Sequence, residues 1–262
     1  MDLDLRGKHA LVGGGSQGIG RAAAIELAQM GAHVTLLARS ADALESAVAE
    51  LPRVHEAQNH GHIAVDMNDA ATLRVKVESA ANAHPFHILI NNTGGPPGGT
   101  AHEADATAFL AAFHQHLLAN QTLLQAVLPG MKGAHYGRIV NVISTSVKEP
   151  IRNLGVSNTI RGAVASWAKT LAAELGPFGI TVNNVLPGYT RTQRLEQIVR
   201  DRVAATGKTA AEIEKTMLGT VPANRFAESK EIAAAIAFLA SPAAGYINGV
   251  NLPVDGGRTQ SL

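Results

Sequence analysis

One stretch restricts this chain more than any other: HALVGGGSQGIG, His9 to Gly20. An apolar run with strand character enters a glycine-rich turn, and residues with helical spacing come next. Glycines let the backbone turn tightly. They also let phosphate oxygens approach the free N–H groups at the N-terminus of the following helix. Strand, glycine turn and helix in that order are the context a dinucleotide site requires. Gly14, Ser16, Gln17, Gly18, Ile19 and Gly20 are therefore the expected cofactor cradle.

The rest of the chain repeats the strand-then-helix rhythm. Strand-like runs are His33–Ala38, His62–Val65, His87–Asn91, Gly137–Ile143 and Ile180–Leu186. Helical segments are expected at Ile19–Met30, Ala41–Leu51, Ala70–Ala83, Glu103–Leu128, Asn158–Leu175 and Glu231–Ala240. Near-continuous Val/Ile/Leu strands are buried on both faces, as in a parallel sheet covered by helices. The expected fold is α/β: a Rossmann-like, doubly wound parallel sheet flanked by helices, in a single domain over 1–262. At 46% hydrophobic and 16% charged residues, the chain has the material for a large core. GGPPGG, Gly94 to Gly99, comes after a strand end and reads as a loop over a ligand site.

Composition narrows the chemistry. With no cysteine, thiolate zinc sites, disulfides and thiol catalysis are excluded. No histidine pair has metal-ligand spacing, so no metal is expected. The net charge of +1 and the lack of a Lys/Arg run argue against a nucleic-acid partner. No apolar stretch of about 18 residues is present, so no membrane span is expected, and no signal peptide either. A cytoplasmic location fits these features.

The end of the second strand reads Ala38-Arg39-Ser40. NAD sites place an acid there to bind the adenosine ribose, and a carboxylate would repel a 2′-phosphate. A guanidinium pairs with that phosphate instead. Arg39 and Ser40 therefore point to NADP(H).

These motifs make the chain similar to the short-chain dehydrogenase/reductase family over nearly its whole length, with a 3-oxoacyl-carrier-protein reductase-like look. The glycine turn resembles the family's T-G-x-x-x-G-x-G, with Gly13 in place of Thr. NNTGG, Asn91 to Gly95, resembles N-N-A-G. VNNVLPGYTRT, Val182 to Thr192, resembles V-N-x-V-x-P-G-x-x-x-T. The resemblance implies seven strands, with adenine near Asp66 and Met67 and further cofactor contacts from Asn92 and Gly94. Pro187, Gly188 and Thr192 would border the nicotinamide. It also implies homotetramers or homodimers built on the long helices Glu103–Leu128 and Asn158–Leu175.

The family's catalytic set is Asn, Ser, Tyr and Lys. Its Ser matches Ser144, but its Tyr falls on Ser157, its Lys on Arg161 and its Asn on His116. Ser157 and Arg161 stand one helical turn apart. A serine is a far weaker acid than a phenol, and an arginine keeps its proton and cannot relay it. Arg161 can still hold ribose hydroxyls or stabilise an oxyanion or a substrate carboxylate. The other proton donors the sequence offers are Lys148, Tyr189 and His116, whose imidazole is expected to titrate near neutrality, the range a proton relay needs. The implied activity is NADP(H)-dependent oxidoreduction of a small carbonyl or alcohol; the alternative is a sensor or scaffold that binds NADP(H) with little catalysis. The polar helical region 191–221, broken at Gly207, is the expected substrate lid.

Overall fold

The structure is a computed structural model and describes residues 1–261. Seven parallel strands form one sheet in the order β3-β2-β1-β4-β5-β6-β7. The chain runs β1 (His9–Gly13), α1 (Gly18–Gln29), β2 (His33–Ala38), α2 (Ala41–Ala49), β3 (His60–Ala64), α3 (Ala70–Ala83) and β4 (Ile88–Asn91). It continues with α4 (Ala106–Phe113), α5 (Ala119–Gly133), β5 (Gly137–Val142), α6 (Gly155–Leu175) and β6 (Ile180–Pro187). The last elements are α7 (Gln193–Thr206), α8 (Ala210–Leu218), α9 (Ser229–Ala240) and β7 (Asn251–Val254).

Alternate strand residues feed two separate cores, as a period of two requires. Ala10, Val12, Val34, Leu36, Ile88, Ile90 and Val140 pack with α1, α2 and α9 on one face. Leu11, Leu37, Leu89, Ile139 and Val182 pack with α3, α5 and α6 on the other. The order of strands reverses direction between β1 and β4. At such a switch point the connections leave in opposite directions and open a crevice beyond the strand ends.

Four asparagines cross the second face in register. Asn91 Nδ2 donates to Asn141 Oδ1, Asn141 to Asn184 and Asn184 to Asn251, each at 2.8 Å. They occupy paired positions on β4, β5, β6 and β7.

Several element bounds differ from expectation; α6, for one, begins at Gly155 and not at Asn158. The helix expected over Glu103–Leu128 starts later, at Ala106, and is interrupted by a π-helical turn, His114–Leu118. Strand β3 begins two residues earlier than expected, at His60. The cause is visible: His60 Nδ1 accepts the N–H of Val34 at 3.2 Å, so the ring itself completes the edge of the ladder.

This is one instance of a pattern at the sheet edge away from the crevice. His87 Nδ1 accepts the N–H of His9 at 3.1 Å, and His33 Nδ1 accepts that of Asn59 at 3.0 Å. A ring nitrogen accepts only while unprotonated. Burial, then the charges of His33, His84 and His87, push His9 down to about 4. Burial first also lowers His60 and His87. An unfolded histidine titrates near 6.5, so the folded chain binds fewer protons below that pH. Stability is full above about pH 6.5 and declines as pH falls from there toward about 4. Thermal denaturation is expected to show a midpoint on the order of 5 °C lower at pH 5 than at pH 7.5. His60→Gln should flatten that slope. A midpoint that stays constant over the range contradicts the assignment.

Candidate active site

The crevice is a cleft of about 980 Å³ bounded by the loops after β1, β2, β3, β4, β5 and β6, with α6 and α7 as its walls. The glycine turn forms its floor. Gly14 has φ +59, and a Cβ there would lie 2.6 Å from Asn92 Nδ2. Only glycine allows both that backbone and that approach. A Cβ on Gly20 would lie 2.3 Å from the Gly14 carbonyl. Gly20 thus lets α1 close against the turn. Gly14, Ser16, Gln17, Gly18 and Ile19 line the cleft.

At the far end Arg39 and Ser40 line the rim, both exposed. Ser40 also caps α2, accepting the Ala43 N–H at 3.3 Å. Asp66 and Met67 line the same end, and Asn92 and Gly94 the middle. Pro187, Gly188 and Thr192 line the other end. Thr192 is also a helix cap: its Oγ1 accepts the Leu195 N–H at 3.3 Å and donates to Thr190 O at 3.2 Å.

Ser144, Ser157, Arg161 and Tyr189 all line the cleft. Ser144 caps a 3-10 turn, Thr145–Val147, by accepting the Ser146 N–H at 3.1 Å. A hydroxyl whose oxygen is so engaged keeps its proton to donate. Tyr189 stands edge-on to Phe226 at 6.2 Å, with the Arg258 guanidinium over its ring at 4.8 Å.

Arg161 is the unusual member. It is 7% exposed and lines the cleft. Nη1 donates to Val142 O at 2.9 Å, while Nε is buried with no partner. Burial, then the charge of Arg194, lowers its pKa to about 10, so it remains a cation.

Two sequence candidates lie outside the cleft. His116 sits on the π-helical turn, 1% exposed, with Nδ1 against the Thr93 hydroxyl. Burial, then the charge of Arg161, pushes it down to about 3. The near-neutral titration expected of it is thereby removed: the ring is uncharged and backs Thr93, which lines the cleft. Lys148 closes the 3-10 turn, its N–H on Thr145 O at 3.0 Å, and is not among the lining residues.

Sequence reasoning missed Arg194 and the role of Thr93. Arg194 lies in the first turn of α7, and its Nη2 donates to Pro96 O at 2.6 Å. Its position two residues after Thr192 was the available signal. Thr93 was visible only as a bulkier residue where the resembled motif has alanine.

Comparison with known proteins bears on the family and the fold. A family model described as enoyl-(acyl carrier protein) reductase matches residues 14–259. L-xylulose reductase of Mesocricetus auratus is 34% identical over 259 residues, covering 98% of each chain. NADPH-dependent reductase BacG of Bacillus subtilis is 30% identical over 258 residues, 97% of this chain and 99% of that one. The crystal structure of L-sorbose reductase from Gluconobacter frateurii, complexed with NADPH and L-sorbose, superposes with a TM-score of 0.92. It is 29% identical, with all of both chains covered.

A buried cation without an anion costs stability, and its replacement by an apolar side chain of similar size is often neutral or stabilising. Arg161→Met should leave the melting temperature unchanged or raise it by about 2–4 °C per kcal/mol gained. Its neighbour Ile160, 4% exposed in a hydrophobic cluster, should behave oppositely, Ile160→Ala costing about 2–5 kcal/mol. Calorimetric melting of the two variants checks this; a drop of the Ile160→Ala size in Arg161→Met contradicts it.

Proposed function

Because the chain belongs to the short-chain dehydrogenase/reductase family, we propose that it is an NADP(H)-dependent oxidoreductase that interconverts a small carbonyl compound and its alcohol. The observation that carries this reading is one cleft with a glycine floor, a guanidinium at its far rim and a hydroxyl, a phenol and a cation at its other end. The residues suit the dinucleotide. Gly14 leaves room for a phosphate against the turn, and the N-terminus of α1 opens onto it. Arg39 takes the 2′-phosphate, with no acid beside it at the end of β2. Two relatives are named or described with NADPH.

When bound, the reduced nicotinamide would supply a hydride. The protein's own residues deal with the oxygen. Ser144 donates its hydroxyl to the carbonyl oxygen and fixes the face presented. Arg161 donates to ribose hydroxyls, and its fixed charge lowers the energy of negative charge developing nearby. Tyr189, the phenol in the cleft, gives the proton that completes the alcohol. Ser157 is too weak an acid for that step. Helices α7 and α8 share a small core of Leu195, Val199, Ile213 and Met217, joined by Phe226 from the segment after α8, which suits a lid moving as one body to exclude water. The protein acts as a homotetramer or homodimer in the cytoplasm; the lack of cysteine fits the location, and no helix of the described residues is long and apolar enough to cross a membrane. One observation favours a second reading, NADP(H) binding without turnover: the residue at the family's phenol position is Ser157.

NADPH fluorescence titration, then NADPH consumption over a carbonyl panel, separates the two. Arg39→Asp should weaken NADPH binding by about 1.5–3 kcal/mol and NADH binding little. Equal wild-type affinities for NADPH and NADH would sink the cofactor assignment. In turnover, Tyr189→Phe should lose about 10²–10⁴-fold, and Ser157→Ala should stay within about tenfold. If Ser157→Ala is the crippled variant with NADPH affinity intact, the proton comes from Ser157 instead.

A further inference from the structure

Five arginines line the cleft, and only one carboxylate, Asp66, lies among the lining residues. Arg21 pairs with Glu50, and Arg191 with Glu228 at 3.3 Å. Arg39 stands at the adenosine end. Arg161 and Arg194 remain, with no carboxylate partner among the described residues, and both line the cleft, as Ser144 and Tyr189 do. Arg161 is buried there with its Nε unpartnered. Arg194 is held over the loop after β4, its guanidinium 3.2 Å from where a Cβ on Gly95 would lie. Gly95 lets it settle against that loop.

Two neighbouring cations in a partly enclosed site raise each other's energy, and ribose hydroxyls are neutral and do not offset this. An anion does, and a guanidinium fork matches a carboxylate in particular. Two sources are available in principle, a cofactor phosphate or the substrate. The phosphates already have the glycine turn and Arg39. Arg161 is anchored on Val142 O, two residues before Ser144. A carboxylate held by Arg161 therefore lies beside the carbonyl that Ser144 would orient. Resting on the oxidoreductase reading, we propose that the substrate is a short oxo acid, its carboxylate clasped between Arg161 of α6 and Arg194 of α7. The clasp also joins the lid helix to the catalytic wall, so that an anionic substrate draws the lid down on itself.

The test is calorimetric titration of the full-length protein, with and without saturating NADPH. The probes are non-reducible carboxylates of graded length (oxamate, malonate and succinate), each against its uncharged amide. At least one carboxylate should bind about tenfold or more tightly than its amide, the equivalent of about 1.4 kcal/mol. Arg194→Gln should abolish that preference while changing NADPH affinity less than about threefold, and Arg194→Lys should restore part of it by returning the charge. Arg161→Met, judged folded by its melting curve, should also abolish it. Equal binding of every acid and its amide overturns the proposal. So does an Arg194→Gln protein that loses NADPH affinity but keeps the carboxylate preference, because the cation then serves a cofactor phosphate. If the wild type binds no NADPH, the oxidoreductase reading fails separately, and the titrations without NADPH still decide the clasp.

Discussion

The row of asparagine amides across β4, β5, β6 and β7 is the constraint on which the site depends. Asn91, Asn141 and Asn184 are at most 2% exposed, and each amide donates to the next. A buried amide left unpaired costs roughly 1–3 kcal/mol. Slipping any one strand by a single residue would turn its asparagine to the opposite face and break its links. The row therefore fixes four strands at one level. The residues just beyond these amides are the ones that line the cleft: Asn92 and Thr93 after β4, Ser144 after β5, Pro187 and Gly188 at the end of β6. Catalytic alignment here begins as a register problem inside the sheet, several residues before the chemistry.

Along the wall so aligned, the polar groups form a graded series. Thr93 touches the cleft and His116; His116 is kept neutral by burial and by Arg161; Arg161 in turn feels Arg194. Charge increases outward from the protein interior to the lid helix. A fixed cation in this position cannot shuttle protons as a lysine could, so the site trades titratable chemistry for a steady potential.

The sequence made legible whatever is local. The glycine turn, the apolar strand runs, Arg39 at the end of β2 and Ser144 just after β5 can all be read from neighbours within a few residues, and Gly14, Arg39 and Ser144 line the cleft. Arg161 was legible as a lost proton relay. Its burial without a counter-ion was not, because that depends on what α7 brings from a distant part of the chain. His116 read as a near-neutral acid because a free imidazole titrates there; only packing reveals its depressed pKa. The asparagine row was illegible for the same reason. Each asparagine looks like an ordinary polar residue in a strand until strands far apart in sequence are laid side by side. The π-helical turn has no local signature, since Ala/Leu-rich sequence accommodates either winding.

That turn has a consequence for how this fold tolerates length change. A π turn holds one residue more than the helix around it needs, so His114–Leu118 carries a surplus residue between α4 and α5. Deleting a single residue there would let the helix rewind continuously. Helix α5, locked to α3 and the sheet by Leu123, Val127 and Met131, would stay where it is. The segment before it would keep its facing on α6, because a π turn absorbs its extra residue locally and passes no rotation along the helix. The change would fall on the turn itself, where His116 meets Thr93. One codon in this helix is thus a dial on what backs Thr93, set independently of the sheet and of the cofactor cradle.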